Sequence, residues 1–353
     1  MTGRSPKVRV LVVEDSAFNR RALTEMLGQA SDVEVIGKAT DGDEGLRMAV
    51  QSRPDAITLD LGLPGMDGFT FLRLLMAQAP TPVIVVSAYS RREDVFKAME
   101  LGAMDFIAKP TRRISPDFLS IQDELIAKIR AVRGARKNAQ YPELHVGPRY
   151  PKERREIRLA VIGASTGGPS AIEHLLRALP PDLPLAVAVA QHMPSAFTRT
   201  FAERLDRLAE YEVIEARDGD SMMRGRVLVS PGGHHLKLVT AGKQIVASVV
   251  PRRHEKYCPS IDLLFESAAV LAPRSHLFGI VLTGMGDDGH RGAKRLHDAG
   301  AAVVAESEES AVVFGMPHAA IRAGAVSRVL PLAKIASALT RFGRGLGMEE
   351  VKK

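Results

Sequence analysis

The chain has 353 residues, of which 45% are hydrophobic, with a net charge of +7 and one cysteine. That length exceeds one ordinary domain and fits two of roughly 100–200 residues; no apolar run approaches the roughly 18–20 residues of a membrane span, and a single cysteine excludes a disulfide framework or a zinc ribbon. An N-terminus without a signal-like apolar core, and a lone thiol, lead us to expect a cytoplasmic protein with no membrane insertion.

In chain order, Val8-Arg9-Val10-Leu11-Val12-Val13 reads as an apolar strand ending in Glu14-Asp15, and Asp55-Ala56-Ile57-Thr58-Leu59 as a strand ending in Asp60. Val83-Ile84-Val85-Val86 ends in Ser87, and Met104-Asp105-Phe106-Ile107-Ala108 ends in Lys109-Pro110. Short apolar runs that alternate with helical stretches make a parallel sheet, and the strands' carboxyl ends then share one ligand-binding edge. Carboxylates at Glu14, Asp15 and Asp60 would repel unless a hard divalent cation held them, and Mg²⁺ takes such oxygen ligands while keeping waters. Asp60 then becomes an acceptor nucleophile for a phosphoryl group whose oxygens Ser87 and Lys109 contact. Solvated strand-end charges are the plain alternative for any one of these residues.

Residues 112–156 hold eleven Lys/Arg against six Asp/Glu, so most of the excess positive charge lies there. The stretch from Gly134 to Pro151 is polar with Pro and Gly, and reads as a linker. No helix-turn-helix or zinc-finger pattern follows it and Trp is absent, so a basic linker is a better reading than a nucleic-acid-binding arm.

Ile157-Arg158-Leu159-Ala160-Val161-Ile162 leads into Gly163-Ala164-Ser165-Thr166-Gly167 and then a helix-like stretch. Strand, Gly-x-Ser-x-Gly and helix are the setting of a nucleophile elbow, whose backbone N–H groups hold an oxyanion. A glycine-rich turn that only packs or binds phosphate has the same look. Two further apolar runs follow: Leu185–Ala190, ending in Gln191-His192-Met193-Pro194, and Leu277–Leu282, ending in Thr283-Gly284-Met285-Gly286-Asp287-Asp288-Gly289. Serine needs an imidazole to take its proton, and the imidazole needs a carboxylate to fix its tautomer. All three groups fall just past strand ends, in the order Ser…His…Asp, which is not the Ser…Asp…His order of the α/β-hydrolases. Spacing leaves Asp287 and Asp288 undecided. His234 and His235 are adjacent on an extended segment and point to opposite faces, so they make no metal pair. Cys258 reads as a partly buried structural thiol.

Glu14-Asp15, Asp60, Ser87 and Lys109-Pro110, with Leu63-Pro64-Gly65-Met66-Asp67-Gly68 after the acceptor, resemble the functional positions of two-component receiver domains. Gly163-Ala164-Ser165-Thr166-Gly167-Gly168, Gln191-His192-Met193-Pro194, Ser230-Pro231-Gly232-Gly233, Pro259-Ser260-Ile261-Asp262, Leu282–Gly289 and Gly315-Met316-Pro317 are similar to the catalytic domain of the chemotaxis protein-glutamate methylesterases, the CheB family. The resemblance implies α/β architecture throughout: a flavodoxin-like receiver over residues 1–130, a basic linker over 131–156, and a doubly wound, largely parallel catalytic domain over 157–345.

It further implies a triad of Ser165, His192 and Asp288, the aspartate directly before the glycine being the family's catalytic one. By the same match the Met285 amide is an oxyanion donor and Thr166 helps place the imidazole. Mg²⁺ would be held by Glu14, Asp15, Asp60 and the Gly62 carbonyl, with no cofactor in the esterase site. The implied substrates are glutamate γ-methyl esters on the cytoplasmic helical bundle of chemoreceptors, hydrolysed to glutamate and methanol; some members deamidate receptor glutamines as well. A histidine kinase would be the phosphodonor, and the receiver would inhibit a monomeric esterase until phosphorylated. A receiver-coupled binding protein without catalysis is the alternative. Two residues depart from the pattern: Gly62 lacks the larger side chain many receivers carry there, which bears on acyl-phosphate lifetime, and Cys258 stands where the family often has arginine.

Overall fold

Strand β1 (Val8–Val13) is buried at every position except Arg9, as a strand covered by helices on both faces must be. The computed structural model describes residues 6–88, 92–109, 121–134 and 157–346, and the chain divides into two units, 1–138 and 139–353. The side chain of Ser87, all of Pro110 and residues 135–156 of the expected linker lie outside the described residues.

In the first unit β1, β2 (Val33–Ala39), β3 (Ala56–Leu59), β4 (Val83–Ala88) and β5 (Asp105–Lys109) pair in parallel in the order β2-β1-β3-β4-β5. That is the flavodoxin-like order, with its switch point between β1 and β3. Helices α1 (Ala17–Gly28), α2 (Gly42–Ser52), α3 (Gly68–Gln78), α4 (Arg92–Glu100) and α5 (Gln122–Ala131) connect and flank the strands. Ser16, Asp41 and Asp67 cap α1, α2 and α3 by accepting from N–H groups that the helix cannot satisfy. A 3-10 turn at Val132–Gly134 continues α5 past residue 130, and Arg133 there donates to the Pro6 carbonyl at 2.7 Å.

The second unit starts with β6 (Arg158–Ala164), which runs two residues further than its apolar stretch in sequence, and β7 (Leu185–Gln191). Then come β8 (Glu212–Glu215), β9 (Arg226–Val229), the antiparallel hairpin β10 (His234–Ala241) and β11 (Gln244–Pro251), β12 (Leu277–Val281), β13 (Ala302–Glu306) and β14 (Arg328–Leu330). Seven of them form one parallel sheet in the order β14-β13-β12-β6-β7-β9-β8. The chain adds strands to one side of β6 and later to the other, so the crevice between β6 and β12 is a topological switch point. Helices α6 (Gly168–Arg177), α7 (Ser195–Leu208), α8 (Ile261–Ala269), α9 (His290–Asp298), α10 (Met316–Arg322) and α11 (Leu332–Gly343) complete the unit. Along β10, His234 is exposed and His235 buried, the alternation a strand imposes. No helix among the described residues is long and apolar enough to cross a membrane.

Phe265 of α8 is fully buried in the core with Leu264, Val281, Ala293 and Leu296. Phe265→Ala should destabilise the second unit by about 3–5 kcal/mol, the usual cost of an unfilled aromatic site, read from urea denaturation. A loss under about 1 kcal/mol would mean that α8 repacks freely, contrary to the tight core around it.

Candidate active site

Ser165 follows β6 directly, and its backbone N–H donates to the Thr283 carbonyl at 3.0 Å, joining the β6 and β12 strand ends. The chain then turns through Gly167 (φ +77°) into α6. His192 follows β7 and is tied to the same turn: its N–H donates to the Ala164 carbonyl at 3.1 Å. The Gln191 side-chain amide donates to the carbonyls of Ser165 and His192 at 2.9 and 3.0 Å. Three adjacent strand ends are thus bound to one another before any side chain meets.

The imidazole bridges the other two groups. His192 Nδ1 lies 3.2 Å from Ser165 Oγ, and Nε2 lies 2.9 Å from Asp288 Oδ2. An ionised carboxylate only accepts, so Nε2 carries the proton and Nδ1 offers its lone pair to the serine O–H. Asp288 is 3% exposed and its oxygens accept from the N–H groups of Ile261 (2.8 Å), Asp262 (3.1 Å) and Gly289 (3.0 Å). Ile261 and Asp262 open α8, so the carboxylate sits at a helix N-terminus, where unpaired donors and the helix dipole favour an anion. Burial pushes its pKa up, but the imidazole and these amides outweigh burial and hold it below the usual carboxylate range. Asp287 faces outward instead, accepting from Tyr257 Oη at 2.8 Å and Lys256 Nζ at 3.1 Å.

The loop after β12 closes over the serine. A Cβ on Gly284 would stand 2.8 Å from Ser165 Cβ, so only glycine permits this approach. Its N–H donates to Val313, and its carbonyl accepts from Gly315 and Met316. Among the described residues the next amide, that of Met285, has no hydrogen-bond acceptor, and it is free to serve an incoming oxygen. Thr166 is buried, and its carbonyl accepts from Thr283 Oγ1 at 2.9 Å. No hydrogen bond joins its hydroxyl to His192; Asp288 orients that ring, and Tyr257 stacks on it with centroids 5.1 Å apart. Sequence reasoning gave no role to Tyr257 or to Glu306, the 0%-exposed end of β13. Glu306 accepts from the Thr283 N–H and from Ser310 Oγ, each at 2.8 Å, so it supports the strand end that holds Ser165. His235 accepts from the Ser260 N–H at 3.0 Å behind Asp288, and Cys258 is half-buried, with Sγ 3.5 Å from the His234 carbonyl.

In the first unit Glu14, Asp15 and Asp60 bring carboxylate oxygens within 4.8 Å of one another at the β1 and β3 ends. Lys109 Nζ contacts Glu14 Oε2 at 2.8 Å and Asp60 Oδ2 at 2.7 Å, and the Gly62 N–H donates to Asp60 Oδ1 at 3.3 Å. Burial raises the Glu14 pKa, Lys109 opposes it and Asp60 adds to it. One ammonium among three carboxylates leaves negative charge in a hard-oxygen pocket, and that donor set suits Mg²⁺.

Residues 160–339 match the CheB methylesterase family and residues 10–115 the response regulator receiver domain. The chain is 45% identical over 353 residues to the protein-glutamate methylesterase/protein-glutamine glutaminase 3 of Geobacter sulfurreducens, covering 92% of this chain and 95% of that one. It is 49% identical over 350 residues to protein-glutamate methylesterase/protein-glutamine glutaminase 6 of Anaeromyxobacter dehalogenans, covering 97% of each. Among solved structures, the Thermotoga maritima CheB methylesterase catalytic domain superposes with a TM-score of 0.51 at 36% identity, over 53% of this chain and 100% of that one.

Burial pushes the Glu306 carboxyl up to about 7, and its bonds from Thr283 and Ser310 only partly offset this. The folded chain therefore binds this proton more tightly than the unfolded chain does. Its contribution to stability is full below the ordinary carboxylate pKa and is lost as pH rises through about 7. Glu306→Gln, which keeps an acceptor for Thr283, should match the parent near pH 4 and exceed it at pH 8 by on the order of 3 kcal/mol. Denaturation midpoints at both pH values check this; an equal difference at both would show that Glu306 does not titrate there.

Proposed function

The chain belongs to the CheB methylesterase family, with a receiver domain ahead of the catalytic one, and we propose that Ser165, His192 and Asp288 carry out its hydrolysis under the control of Asp60. It is a protein-glutamate methylesterase/protein-glutamine glutaminase of chemotaxis. The observation that carries the residue assignment is the single imidazole bonded to both Ser165 Oγ and Asp288; a non-catalytic anion site has no use for that bridge.

As Ser165 Oγ attacks the γ-carbonyl carbon of a receptor glutamate methyl ester, its proton passes to His192 Nδ1. Asp288 stabilises the imidazolium without taking a proton itself, in keeping with its lowered pKa. The Met285 N–H receives the developing oxyanion. Collapse expels methoxide, which takes the Nδ1 proton and leaves as methanol. Water then attacks the acyl-enzyme with His192 as base, and glutamate is released as Ser165 regains its proton. A glutamine side chain follows the same course with ammonia as the leaving group. No step calls for a cofactor in this site.

At the other edge Asp60 Oδ1 or Oδ2 attacks the phosphoryl group of a histidine-kinase donor, with Lys109 and Ser87 on the transferred oxygens. Glu14, Asp15, Asp60 and the Gly62 carbonyl would hold Mg²⁺, which supplies charge neutralisation for phosphoryl transfer. Gly62 places no side chain over the acyl phosphate to hinder water. The unphosphorylated receiver restrains the esterase, and phosphorylation relieves it through its differential stability in the two states. The enzyme works as a cytoplasmic monomer on the receptors' cytoplasmic bundle.

Ser165→Ala should lower methanol release from methylated receptors by on the order of 10⁴-fold, as should Asp288→Asn, with a far smaller loss for Asp287→Asn. More than a tenth of parental activity in Ser165→Ala, or a larger loss at 287 than at 288, overturns the assignment. A small phosphodonor should label and stimulate the parent but not Asp60→Asn, and EDTA should block both effects. Full labelling of Asp60→Asn would place the acceptor elsewhere.

A further inference from the structure

Tyr257 precedes α8 on the loop that leaves the β10–β11 hairpin, and its phenol ring stacks on the His192 imidazole, the two planes within 7° of parallel and the centroids 5.1 Å apart. The far end of the ring is fixed as well, since Oη donates to Asp287 Oδ1 at 2.8 Å. The phenol also lies against the turn that follows Met285: a Cβ on Gly286, which has φ +86°, would stand 2.5 Å from Tyr257 Oη. One aromatic side chain therefore touches the ring of the base and the turn carrying the free Met285 amide. Asp287, the carboxylate the triad does not use, anchors it.

We propose that Tyr257 is a positioning residue for the hydrolysis, holding His192 between Ser165 and Asp288 and stabilising the imidazolium that forms as the serine proton moves to Nδ1; this rests on the reading of His192 as the base. The warrant is the ring quadrupole. A cation against an aromatic face is attracted to it and a neutral imidazole much less, so the contact strengthens as charge develops. Among the described residues, the side chains bonded to or stacked on His192 are Ser165 on Nδ1, Asp288 on Nε2, the neutral Gln191 at its backbone carbonyl and Tyr257 on the ring face. Beyond the phenol, Lys256 Nζ stands 4.6 Å from its centroid. A bare ammonium there would oppose the imidazolium, but Lys256 pairs with Asp287 at 3.1 Å. That pair adds little net charge behind the ring.

The test uses the full chain with phosphodonor, compares Tyr257→Leu, Tyr257→Phe and Gly286→Ala, and keeps His192→Gln as the reference without a base. Methanol release from methylated chemoreceptor membranes gives kcat/KM against pH. NMR of histidine-labelled protein gives the His192 titration without activity. In Tyr257→Leu the His192 titration and the acidic limb of kcat/KM should both move to lower pH by roughly half a unit to one and a half units. Its kcat should fall about 3–30-fold. Tyr257→Phe keeps the stack and should titrate like the parent, whereas Gly286→Ala, which displaces the phenol, should shift in the direction of Tyr257→Leu. An unchanged His192 titration in Tyr257→Leu, with or without a fall in kcat, overturns the inference while leaving the triad intact. Activity that survives His192→Gln overturns the base itself, and the inference with it.

Discussion

The buried charge on Asp288 is the constraint from which the catalytic unit is arranged. A carboxylate that is 3% exposed is costly unless fully hydrogen-bonded. Here the amides that open α8 and the N–H of Gly289 meet it. Charge-assisted bonds of this kind contribute about 1.5–3 kcal/mol each, and Oδ2, which takes only the Ile261 N–H among these amides, is left open to the imidazole. The placing of α8 follows from that need. Ser260 caps the helix, accepting from the Leu263 N–H, and His235 receives the Ser260 N–H, so the hairpin, the helix start and the acid form one continuous bonded path. The fully buried Phe265 holds the same helix in the core from its other side. Catalytic geometry and core packing are therefore not separable here.

The two units solve opposite electrostatic problems with the same architecture. Both collect side chains at the carboxyl ends of parallel strands beside a switch point. The first gathers Glu14, Asp15 and Asp60 around Lys109, with the Arg20 guanidinium on the Glu14 and Asp15 carbonyls, a hard-oxygen cluster of the kind that suits a divalent cation. The second isolates one acid, surrounds it with backbone donors and turns the neighbouring acid, Asp287, outward to a lysine and a phenol.

Much of this was legible in the sequence because strand ends are legible. Apolar runs with Glu14, Asp60, Lys109, Ser165, His192 and the Asp287-Asp288 pair at their ends announce the two edges once a parallel sheet is inferred. Position along a turn is another matter. Nothing in the spacing separates Asp287 from Asp288; what separates them is the start of α8, more than twenty residues earlier in the chain, whose amides select one carboxylate. Glu306 and Tyr257 were invisible for the same reason. Each acts through a contact between elements distant in sequence, and a glutamate ending a strand or a tyrosine in a polar loop is unremarkable by itself. The bond that Thr166 makes was equally unreadable, since it is the carbonyl of this residue that enters the bonded network, accepting from Thr283 across more than a hundred residues of chain.

The imidazole presents Nδ1 to Ser165 and Nε2 to Asp288, and this sets how the site can decay over evolutionary time. A glutamine at position 192 carries its amide nitrogen near the place of Nε2. It can go on satisfying the buried carboxylate while offering the serine no base. An asparagine is too short to reach Asp288 and strands that charge among amides arranged for a partner. Loss of chemistry and loss of fold are thus decoupled along one substitutional route and joined along the other. A descendant that kept this scaffold only to bind receptors would be expected to pass through glutamine.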